Sequence, residues 1–446
     1  MSHYKPYRVY KDSGIEWLGA VPEHWAVKRL KFAAALNPAV RLDLLDNQDR
    51  DVSFLPMEAI GEDGTLNFEQ TRPVRDVRNG YSYFEDGDVA FAKVTPCFEN
   101  GKGALMQGLL DSAGFGTTEL TVLRPNTKTT DARYLHYVVQ STRFRALGVG
   151  AMTGAGGLKR VPDEFTRNFP TALPDRIEQE FIASHLDRET SRIDALVEKK
   201  TCFIELLHEK RQALITHAVT KGLDPTVKMR ESGVEWLGEV PEHWEVSPLK
   251  YIVAFRSGGT PSKDNLAFWD GDIPWASAKD LKVNQLHDTQ DHLTELAIAS
   301  NAASLISAGS VLVVVRGMIL ARIFPVVEAM VPMAINQDLK ALQASKKLEG
   351  KFLAHLLRGL ASESLRRLEE AGHGTKALRM EAWTSMQLTV PPVGEQRLIL
   401  AYLDSETERL DNLLSKTERS IELLKERRSA LITAAVTGQI DLREAV

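Results

Sequence analysis

Two polar loops in the sequence carry side chains that could contact nucleic acid. The first follows an apolar segment and reads AKVTPCFENGK over residues 92–102, and the second reads SGGTPSK over residues 257–263. Lysine, hydroxyl and backbone N–H groups donate hydrogen bonds to phosphate oxygens, and asparagine also reaches base edges. Both loops are therefore candidates for DNA contact, although a glycine-rich loop is often only a turn.

Further basic side chains lie after a glycine cluster or an apolar segment in each half of the chain. Lys159 and Arg160 follow GAGG, whereas Lys376 and Arg379 follow GHGT. The candidate DNA-binding residues are Lys93, Thr95, Asn100, Lys102, Lys159, Arg160, Thr260, Ser262, Lys263, Arg316, Lys376 and Arg379.

Motifs for catalysis are missing from the sequence. Phosphate-binding G-x-x-x-x-G-K-[ST], zinc-binding H-E-x-x-H and the nucleophile motif G-x-S-x-G do not occur. The segment Asn37-Pro38-Ala39-Val40 lacks the aromatic residue of the N/D-P-P-[YF] motif of amino-methyltransferases. Cys97 and Cys202 are far apart and indicate neither a zinc site nor a disulfide. We expect a binding protein without catalytic residues, a metal site or a cofactor of its own.

The composition sets limits on size and partners. With 446 residues, 43% hydrophobic and 26% charged, the chain is long enough for two or three globular domains. The formal net charge of -5 excludes binding to DNA or membranes through overall positive charge. Any DNA-binding surface must therefore be local.

The chain contains two pairs of internal repeats. Residues 13–25 (SGIEWLGAVPEHW) and 232–244 (SGVEWLGEVPEHW) are identical at 11 of 13 positions, at an offset of 219. Residues 179–224 and 396–441 share 24 of 46 positions at an offset of 217. Between these blocks lie two stretches that barely match. The sequence is therefore a tandem duplication in which the connecting segments stayed similar and the intervening domains diverged.

The longer repeats predict two unusually long helices. No glycine or proline occurs in residues 175–221 or in residues 395–437, and the apolar residues recur mostly at intervals of 3, 4 and 7. This spacing favours an antiparallel coiled coil over two helices of ordinary bundles. The residues predicted to form its seam are Ile193, Leu196, Phe203, Leu207, Leu214, Leu410, Leu413, Leu424 and Leu431.

The sequence predicts an α+β fold with two similar mixed α/β domains, separated by the two helices and related by a pseudo-twofold, circular symmetry. Buried strands are predicted at 120–123 and 311–315, and an amphipathic helix at 132–147. We expect the N- and C-terminal segments to lie close together. The predicted segments are 1–25 (repeated block), 26–174 (first domain), 175–244 (helix and repeated block), 245–391 (second domain) and 392–446 (C-terminal helix).

This arrangement resembles the specificity subunit of type I restriction–modification enzymes. The resemblance rests on the doubled helical blocks, the doubled S-G-x-E-W-L-G-x-V-P-E-H-W segments, and the SGGTPSK and KVTPCFENGK loops, and it covers nearly the whole chain. It implies two target-recognition domains that each read one half of a bipartite DNA target. The helices would set the spacer between the halves and dock methyltransferase subunits.

The resemblance also implies partners and a location. Two methyltransferase subunits and two restriction–translocase subunits would bind the chain, and these partners would use S-adenosylmethionine, ATP and Mg²⁺. The chain itself would be a non-catalytic, cytoplasmic protein of a bacterium or archaeon, associated with the nucleoid through DNA and not with a membrane. Two alternatives stay open: a fused restriction–methylation enzyme, and a two-headed scaffold that binds proteins.

Overall fold

The computed structural model describes residues 4–371 and 374–443, and its contacts divide the chain into two compact units. The first unit comprises residues 1–201 and 419–446, and the second comprises residues 202–418. Both divisions fall inside long helices. Each unit therefore contains one predicted recognition domain together with one part of each long helix.

The first unit is built from short strands and helices that precede the first long helix. The strands are β1 (Tyr10–Asp12), β2 (Ala20–Pro22), β3 (Ala26–Arg29), β4 (Ala34–Leu36), β5 (Asp51–Leu55), β6 (Thr71–Pro73), β7 (Ser82–Glu85), β8 (Val89–Ala92), β9 (Gly103–Leu105), β10 (Ala113–Gly116), β11 (Leu120–Pro125), β12 (Thr153–Ala155), β13 (Leu158–Arg160) and β14 (Pro170–Leu173). The helices are α1 (Leu42–Asp46), α2 (Val74–Val77), α3 (Ala132–Gln140), α4 (Thr142–Ala151), α5 (Asp163–Asn168) and the long α6 (Arg176–Lys221).

Two four-stranded sheets form the body of the first unit, in the orders β6-β5-β10-β7 and β4-β11-β8-β9. All four residues of β8 (VAFA) are buried, as the absence of polar residues in this strand requires. Helix α3 packs its apolar face on the second sheet, where Tyr134 and Val138 join Phe91 and Leu123 in one core. The connection from β8 to β9 lies at the edge of this sheet and contains the first candidate loop.

The second unit follows the same plan with different loops. Its strands are β15 (Met229–Glu231), β16 (Glu239–Pro241), β17 (Glu245–Pro248), β18 (Val253–Ser257), β19 (Trp269–Ala276), β20 (Gln285–Leu286), β21 (Asp291–Leu293), β22 (Leu305–Ile306), β23 (Val311–Val314), β24 (Arg316–Gly317), β25 (Val326–Ala329), β26 (Met333–Ile335), β27 (Leu339–Ala344), β28 (Leu368–Glu370), β29 (Lys376–Leu378) and β30 (Gln387–Val390). Its helices are α7 (Leu249–Ile252), α8 (Glu295–Ala299), α9 (Gly350–Gly359), α10 (Ala361–Leu365), α11 (Met380–Thr384) and the long α12 (Val393–Val436).

The core of the second unit lies between a five-stranded sheet (β18-β27-β23-β25-β20) and α9. Phe352, Leu353 and Leu356 of α9 pack with Val313 of β23 and Leu342 of β27, and all five are fully buried. A four-stranded sheet (β21-β19-β26-β22) and a three-stranded sheet (β24-β29-β28) complete the unit. Helix α9 therefore takes the place in this unit that α3 takes in the first.

The long helices run antiparallel to each other within each unit. In the second unit Leu207 packs against Leu410 and Leu414, and Arg211 lies 3.5 Å from Asp411. In the first unit the Arg428 guanidinium lies 2.9 Å from the Asp194 carboxylate. Within the second unit, Leu207 contacts Leu410 and Leu414, whereas Leu214 and His217 lie beside Tyr402. The residue numbers on α12 thus fall as those on α6 rise, and the predicted antiparallel pairing is confirmed.

Three residues predicted for the helix seam do not lie in a buried contact. Leu196, Phe203 and Leu413 are 42%, 43% and 38% exposed. In the second unit Ile204 and Leu414, their sequence neighbours, occupy the contact around Leu207. Adjacent residues differ by about 100° around a helix, so a shift of one position moves a side chain out of a narrow stripe. Of the other predicted seam residues, Ile193, Leu207, Leu410 and Leu431 are buried and Leu214 and Leu424 are partly buried.

The segments near the two ends of the chain lie together in the first unit, as the circular order of the repeats predicts. Lys5 pairs with Asp441 in an isolated bridge, and the Tyr10 hydroxyl donates to the Gly438 carbonyl at 3.1 Å. The repeated Trp25 is fully buried beside them, and Trp244 is equally buried in the second unit. The repeated block therefore packs at the end of a long helix in each unit.

Candidate nucleic-acid interface

The first unit presents a small exposed sheet beside the loop at residues 93–102. Strands β12 and β13 form a hairpin in which all eight residues, 153–160, are exposed. Gly156 and Gly157 take positive φ at the tip, where a residue with a Cβ atom would be strained. Val94 pairs with Arg160 from the other side, so β13 is the central strand of what we call the first platform.

The Thr95 hydroxyl ties the loop to the hairpin. It donates to the Gly157 carbonyl at 2.9 Å and accepts from the Lys159 N–H at 3.0 Å. The Lys93 carbonyl accepts from the Val161 N–H at 2.8 Å, while the Lys93 N–H donates to the Glu119 carbonyl at 2.8 Å. These bonds bring Lys93, Thr95, Lys159 and Arg160 together on one small sheet, although its two segments are separated by more than 60 residues of sequence.

Arg160 is fixed by a carboxylate next to the platform. Its Nε and Nη2 atoms donate to the two oxygens of Glu119 at 2.8 and 2.7 Å. Hydrogen bonds from Arg160 hold the pKa of Glu119 below its ordinary value, so this carboxylate is ionised at neutral pH. Sequence reasoning did not select Glu119, because a single glutamate before a strand gives no motif.

Two other candidates in the same loop are engaged elsewhere. The Asn100 amide donates to the Glu62 carboxylate at 2.8 Å, and the Lys102 ammonium donates to the Met57 carbonyl at 3.1 Å. Asn100 also lines a polar cleft beside the long helices, together with Asp194 and Arg428. The structure therefore does not bring Asn100 and Lys102 together with the first platform.

The second unit carries an equivalent sheet, which we call the second platform, with other side chains on it. Its central strand β29 pairs with β28 on one side and with β24 on the other, and Arg316 faces Ala377 in that register. The Lys376 ammonium lies 2.7 Å from the Glu370 carboxylate. Candidate residues Arg316 and Lys376, separated by 60 positions, thus meet on one sheet.

The glycine-rich loop of the second unit lies against strand β26 and the turn that follows it. The Gly259 N–H donates to the Ile335 carbonyl at 2.9 Å, and the Thr260 hydroxyl donates to the Gln337 amide oxygen. A Cβ atom on Gly258 would come within 2.1 Å of the Ile335 carbonyl oxygen, so this position requires glycine. The backbone thus approaches the strand closely.

The same loop lies near the second platform. The residue after Gln337, Asp338, accepts the N–H of Val315 at 2.8 Å, which places the loop beside β24. Ser262 and Lys263 are exposed in the loop, and Arg379 is exposed at the end of β29. The candidate residues of the second unit therefore lie on or near the second platform.

Glu119 and Asp338 are related by the 219-residue offset of the repeats. The Glu119 carbonyl accepts from Lys93 after β8, and the Asp338 carbonyl accepts from Val315 after β23. This correspondence was detectable as an offset, but the surrounding sequences have diverged too far for an alignment to single it out.

In each unit, the segments that precede the long helix pack on it through repeated contacts. Gln179 is fully buried and accepts the Asp131 N–H at 2.8 Å, while its amide donates to two backbone carbonyls at 2.9 Å. Gln396 makes the same three bonds in the second unit, accepting from Glu349 at 2.9 Å and donating at 2.8 Å. Sequence reasoning did not single out either glutamine as an anchor.

A histidine on α3, His136, and one on α9, His355, occupy equivalent positions, the first partly buried and the second buried. Burial, and then the nearby Arg428, lowers the pKa of His136 to about 4. Burial, and then Arg358, lowers the pKa of His355 to about 4. Both imidazoles are therefore neutral at physiological pH.

Within residues 4–371 and 374–443, no group of three or more histidine, cysteine, aspartate or glutamate residues is placed to hold a metal ion. Cys97 and Cys202 form no disulfide. The helices in these ranges include none that is both long and apolar enough to cross a membrane.

Comparison with known proteins finds a family model that is similar to most of the second half of the chain. Residues 241–423 match the family model of the type I restriction modification DNA specificity domain. The chain is 36% identical over 197 residues to the type I restriction enzyme EcoAI specificity subunit of Escherichia coli, a match covering 44% of this chain and 33% of that protein. It is 29% identical over 261 residues to the Escherichia coli EcoR124I/EcoR124II specificity subunit, covering 58% and 60%. These matches thus span between a third and three fifths of the curated relatives' length.

Three further matches cover nearly the whole chain. The putative type I restriction enzyme MjaX specificity subunit of Methanocaldococcus jannaschii is 22% identical over 442 residues, 96% of each chain. A chain from a structural study of complex assembly and conformational transition of the type I R-M system matches with a TM-score of 0.76 at 17% identity, covering 94% of this chain and 99% of that one. The HsdS subunit from Thermoanaerobacter tengcongensis matches with a TM-score of 0.56 at 18% identity, covering 94% and 98%. The structural matches support the α+β fold.

Proposed function

We propose that the chain is a type I restriction–modification specificity subunit and that it confers DNA sequence specificity on such a complex. Each unit reads one half of a bipartite duplex target. The observation that carries this proposal is the repetition of one platform in two units, with different exposed side chains on each. A shared backbone with diverged side chains suits two domains that read different sequences by the same mode.

The charge distribution supports contact with DNA at the platforms. Arg160 and Lys159 on the first platform and Arg316 on the second are exposed, although the whole chain has a net charge of -5. Local cations suffice for phosphate and base contacts when the partner subunits supply further positive surface. The candidate residues Thr95, Thr260, Ser262, Lys263, Lys376 and Arg379 lie on or beside the same surfaces and have the same proposed role.

The long helices set the spacer between the half-sites and dock methyltransferase subunits. Helix α6 has 46 residues and α12 has 44, which corresponds to roughly 65–70 Å at 1.5 Å per residue. This length exceeds the ~34 Å of one turn of DNA, the spacing at which half-sites face the same side of the duplex. Exposed apolar residues on the helices, such as Phe203 and Leu206, provide surface for protein contacts.

The chain acts as a non-catalytic subunit, as members of this family generally do. Methylation and ATP-dependent cleavage are carried out by two methyltransferase and two restriction–translocase subunits, which bring S-adenosylmethionine, ATP and Mg²⁺. The complex acts in the cytoplasm, on the DNA of the nucleoid.

The test is to sequence modified bases in DNA of the source strain with and without this gene. We expect deletion to abolish methylation at one bipartite motif. An unchanged methylation pattern would refute the function and leave the protein-binding scaffold as the alternative.

Exchange of each domain then tests its role. Replacing residues 26–174 with those of another family member is expected to change one half-site and keep the other half and the spacer. Replacing residues 245–391 is the matched control and is expected to change the opposite half. A change in both halves after a single exchange would contradict independent reading.

A further inference from the structure

Arg160 differs from the other basic candidates of the first unit in how firmly it is held. Its backbone is paired on both sides, with Thr153 in the hairpin and with Val94 in the loop. Its side chain is 44% exposed, so the guanidinium is fixed by its neighbours and still reaches solvent. A side chain ordered before binding loses less conformational entropy when it meets a ligand.

The contact with Glu119 leaves one edge of the guanidinium available. An arginine has five N–H donors, and the carboxylate takes one from Nε and one from Nη2. Three donors therefore remain, two on Nη1 and one on Nη2. The pair of N–H groups that point outward from Nη1 and Nη2 are parallel, which is the geometry that contacts two adjacent acceptors.

We propose that Arg160 reads a guanine in the half-site contacted by the first unit, and that Glu119 is the positioning residue that orients it. This assignment rests on the function proposed above. In the major groove, guanine presents N7 and O6 as two neighbouring acceptors, and arginine contacts both. No other base presents two acceptors side by side at that edge.

The carboxylate also favours a base over a phosphate as the ligand of Arg160. Glu119 compensates the positive charge of the guanidinium and would repel a phosphate placed next to it. The edge of a guanine is uncharged, so it pays no such penalty. The contact with Glu119 therefore lowers the attraction of Arg160 for the DNA backbone, while the guanidinium stays oriented for hydrogen bonding to a base.

The second platform supports a role in specificity. In the first unit Arg160 of β13 pairs with Val94. At the equivalent position of the second unit, Ala377 of β29 pairs with Arg316 of β24. The backbone pairing is thus retained between the two units, while the arginine has moved to another strand. A residue needed only to hold the platform together would be needed in both units.

The experiment places Arg160→Ala, Arg160→Lys and Glu119→Ala in the gene of the source strain and sequences modified bases. With Arg160→Ala, one guanine in one half-site is expected to become degenerate, with discrimination at that position falling on the order of 10- to 100-fold. The other half-site and the spacer should stay unchanged. Arg160→Lys should retain part of the preference, and Glu119→Ala should relax the same position to a smaller extent.

Arg29→Ala is the matched control. Arg29 is an exposed arginine of the same unit that donates to Asn168 at 3.2 Å and is not held by a carboxylate. We expect this variant to leave the motif intact. Thermal unfolding of each purified variant separates a folding defect from a change in recognition, and the Arg160→Lys variant tests the assignment even if Arg160→Ala unfolds.

Two outcomes would overturn the assignment of guanine. Uniformly reduced methylation at an unchanged motif would make Arg160 a phosphate contact, and an unchanged motif with unchanged methylation would remove it from the interface. Both outcomes leave the proposed function standing, whereas its own failure appears as a methylation pattern that does not depend on the gene.

Discussion

The two units keep the same contacts on the side of the long helices and differ on the side of the platforms. In the first unit the His24 ring lies 2.8 Å from the Glu178 carboxylate, and in the second His243 lies 2.8 Å from Glu395. By contrast, the arginine clamped by Glu119 has no counterpart at the equivalent position, Ala377. The repeated sequence therefore preserves the contacts between each domain and the long helices, whereas the side chains exposed on the platforms differ.

The largest loss of stability is expected on substitution of the repeated tryptophans. The two units should differ in their response to phenylalanine at these positions. Trp25→Ala and Trp244→Ala should each lower the free energy of unfolding by about 3–5 kcal/mol, because both rings are fully buried. Trp244 donates to Glu395 at 3.0 Å, whereas the indole nitrogen of Trp25 is buried without a hydrogen-bond partner. Trp244→Phe should therefore cost more than Trp25→Phe.

Urea unfolding followed by circular dichroism measures this difference. Equal costs for the two phenylalanine variants would contradict the inequivalence of the two indole environments.

The buried glutamines should behave alike. Gln179→Ala and Gln396→Ala each remove the partner of three buried or partly buried backbone groups, for which we expect a loss of about 2–4 kcal/mol in either unit. Gln212→Ala is the control, since its amide bonds are partly exposed and water can replace them. Urea unfolding measures the loss of stability in each variant. Clearly unequal losses for Gln179→Ala and Gln396→Ala would contradict the equivalence of these two contacts with the long helices.

Acid should destabilise both units through His136 and His355. Each imidazole is neutral in the folded protein, with its pKa lowered from 6.5 to about 4, so the unfolded chain binds more protons between those values. Stability is therefore complete above pH 6.5 and falls as the pH decreases toward 4, by up to about 2 kcal/mol per histidine at pH 5. Thermal unfolding from pH 8 to pH 5 measures the slope.

Substitution separates these histidines from the rest. His136→Gln and His355→Gln should each reduce the slope by a similar amount, while His208→Gln, at an exposed position of α6, should leave it unchanged. A slope that survives in the double variant would show that other groups cause the acid sensitivity.

The smallest effect is expected at the repeated His–Glu pairs. His24→Gln and His243→Gln should each cost less than about 1 kcal/mol, because both imidazoles are half-exposed and both carboxylates keep another donor. The loss should be slightly larger in the first unit, since the Glu178 side chain is 5% exposed and that of Glu395 is 26% exposed. Double-mutant cycles at pH 6 measure the two couplings, and a larger coupling in the second unit would contradict this order.

Sequence reasoning predicted the parts of the fold that depend on repetition and periodicity. The two long helices were evident because more than 40 residues lack glycine and proline, and the observed strands β11 and β23 contain or nearly match the predicted segments 120–123 and 311–315. The predicted helix at 132–147 is two helices instead. Ser141 ends α3 and caps α4, accepting the Phe144 N–H at 3.3 Å. A single serine within an apolar pattern does not by itself predict that a helix ends there.

The candidate site was predictable only in part, because it depends on contacts between distant segments. Lys159 and Arg160 were identified by type, but the pairing of Arg160 with Val94 and Glu119 arises from the fold. Asn100 was chosen from the same loop, yet a carboxylate 38 residues away holds its amide. A loop sequence lists the available side chains and does not reveal which of them another segment engages.

The hairpin at residues 153–160 also bears on how such a protein acquires a new target. All eight residues are exposed, five of them with a side chain, and the hairpin is attached to the loop by backbone hydrogen bonds and the Thr95 hydroxyl. Exposed substitutions of this kind usually change stability by no more than about 0.5 kcal/mol. Mutations at its five non-glycine positions can therefore accumulate during evolution without compensating changes in the core, whereas the glycines at positive φ have to stay.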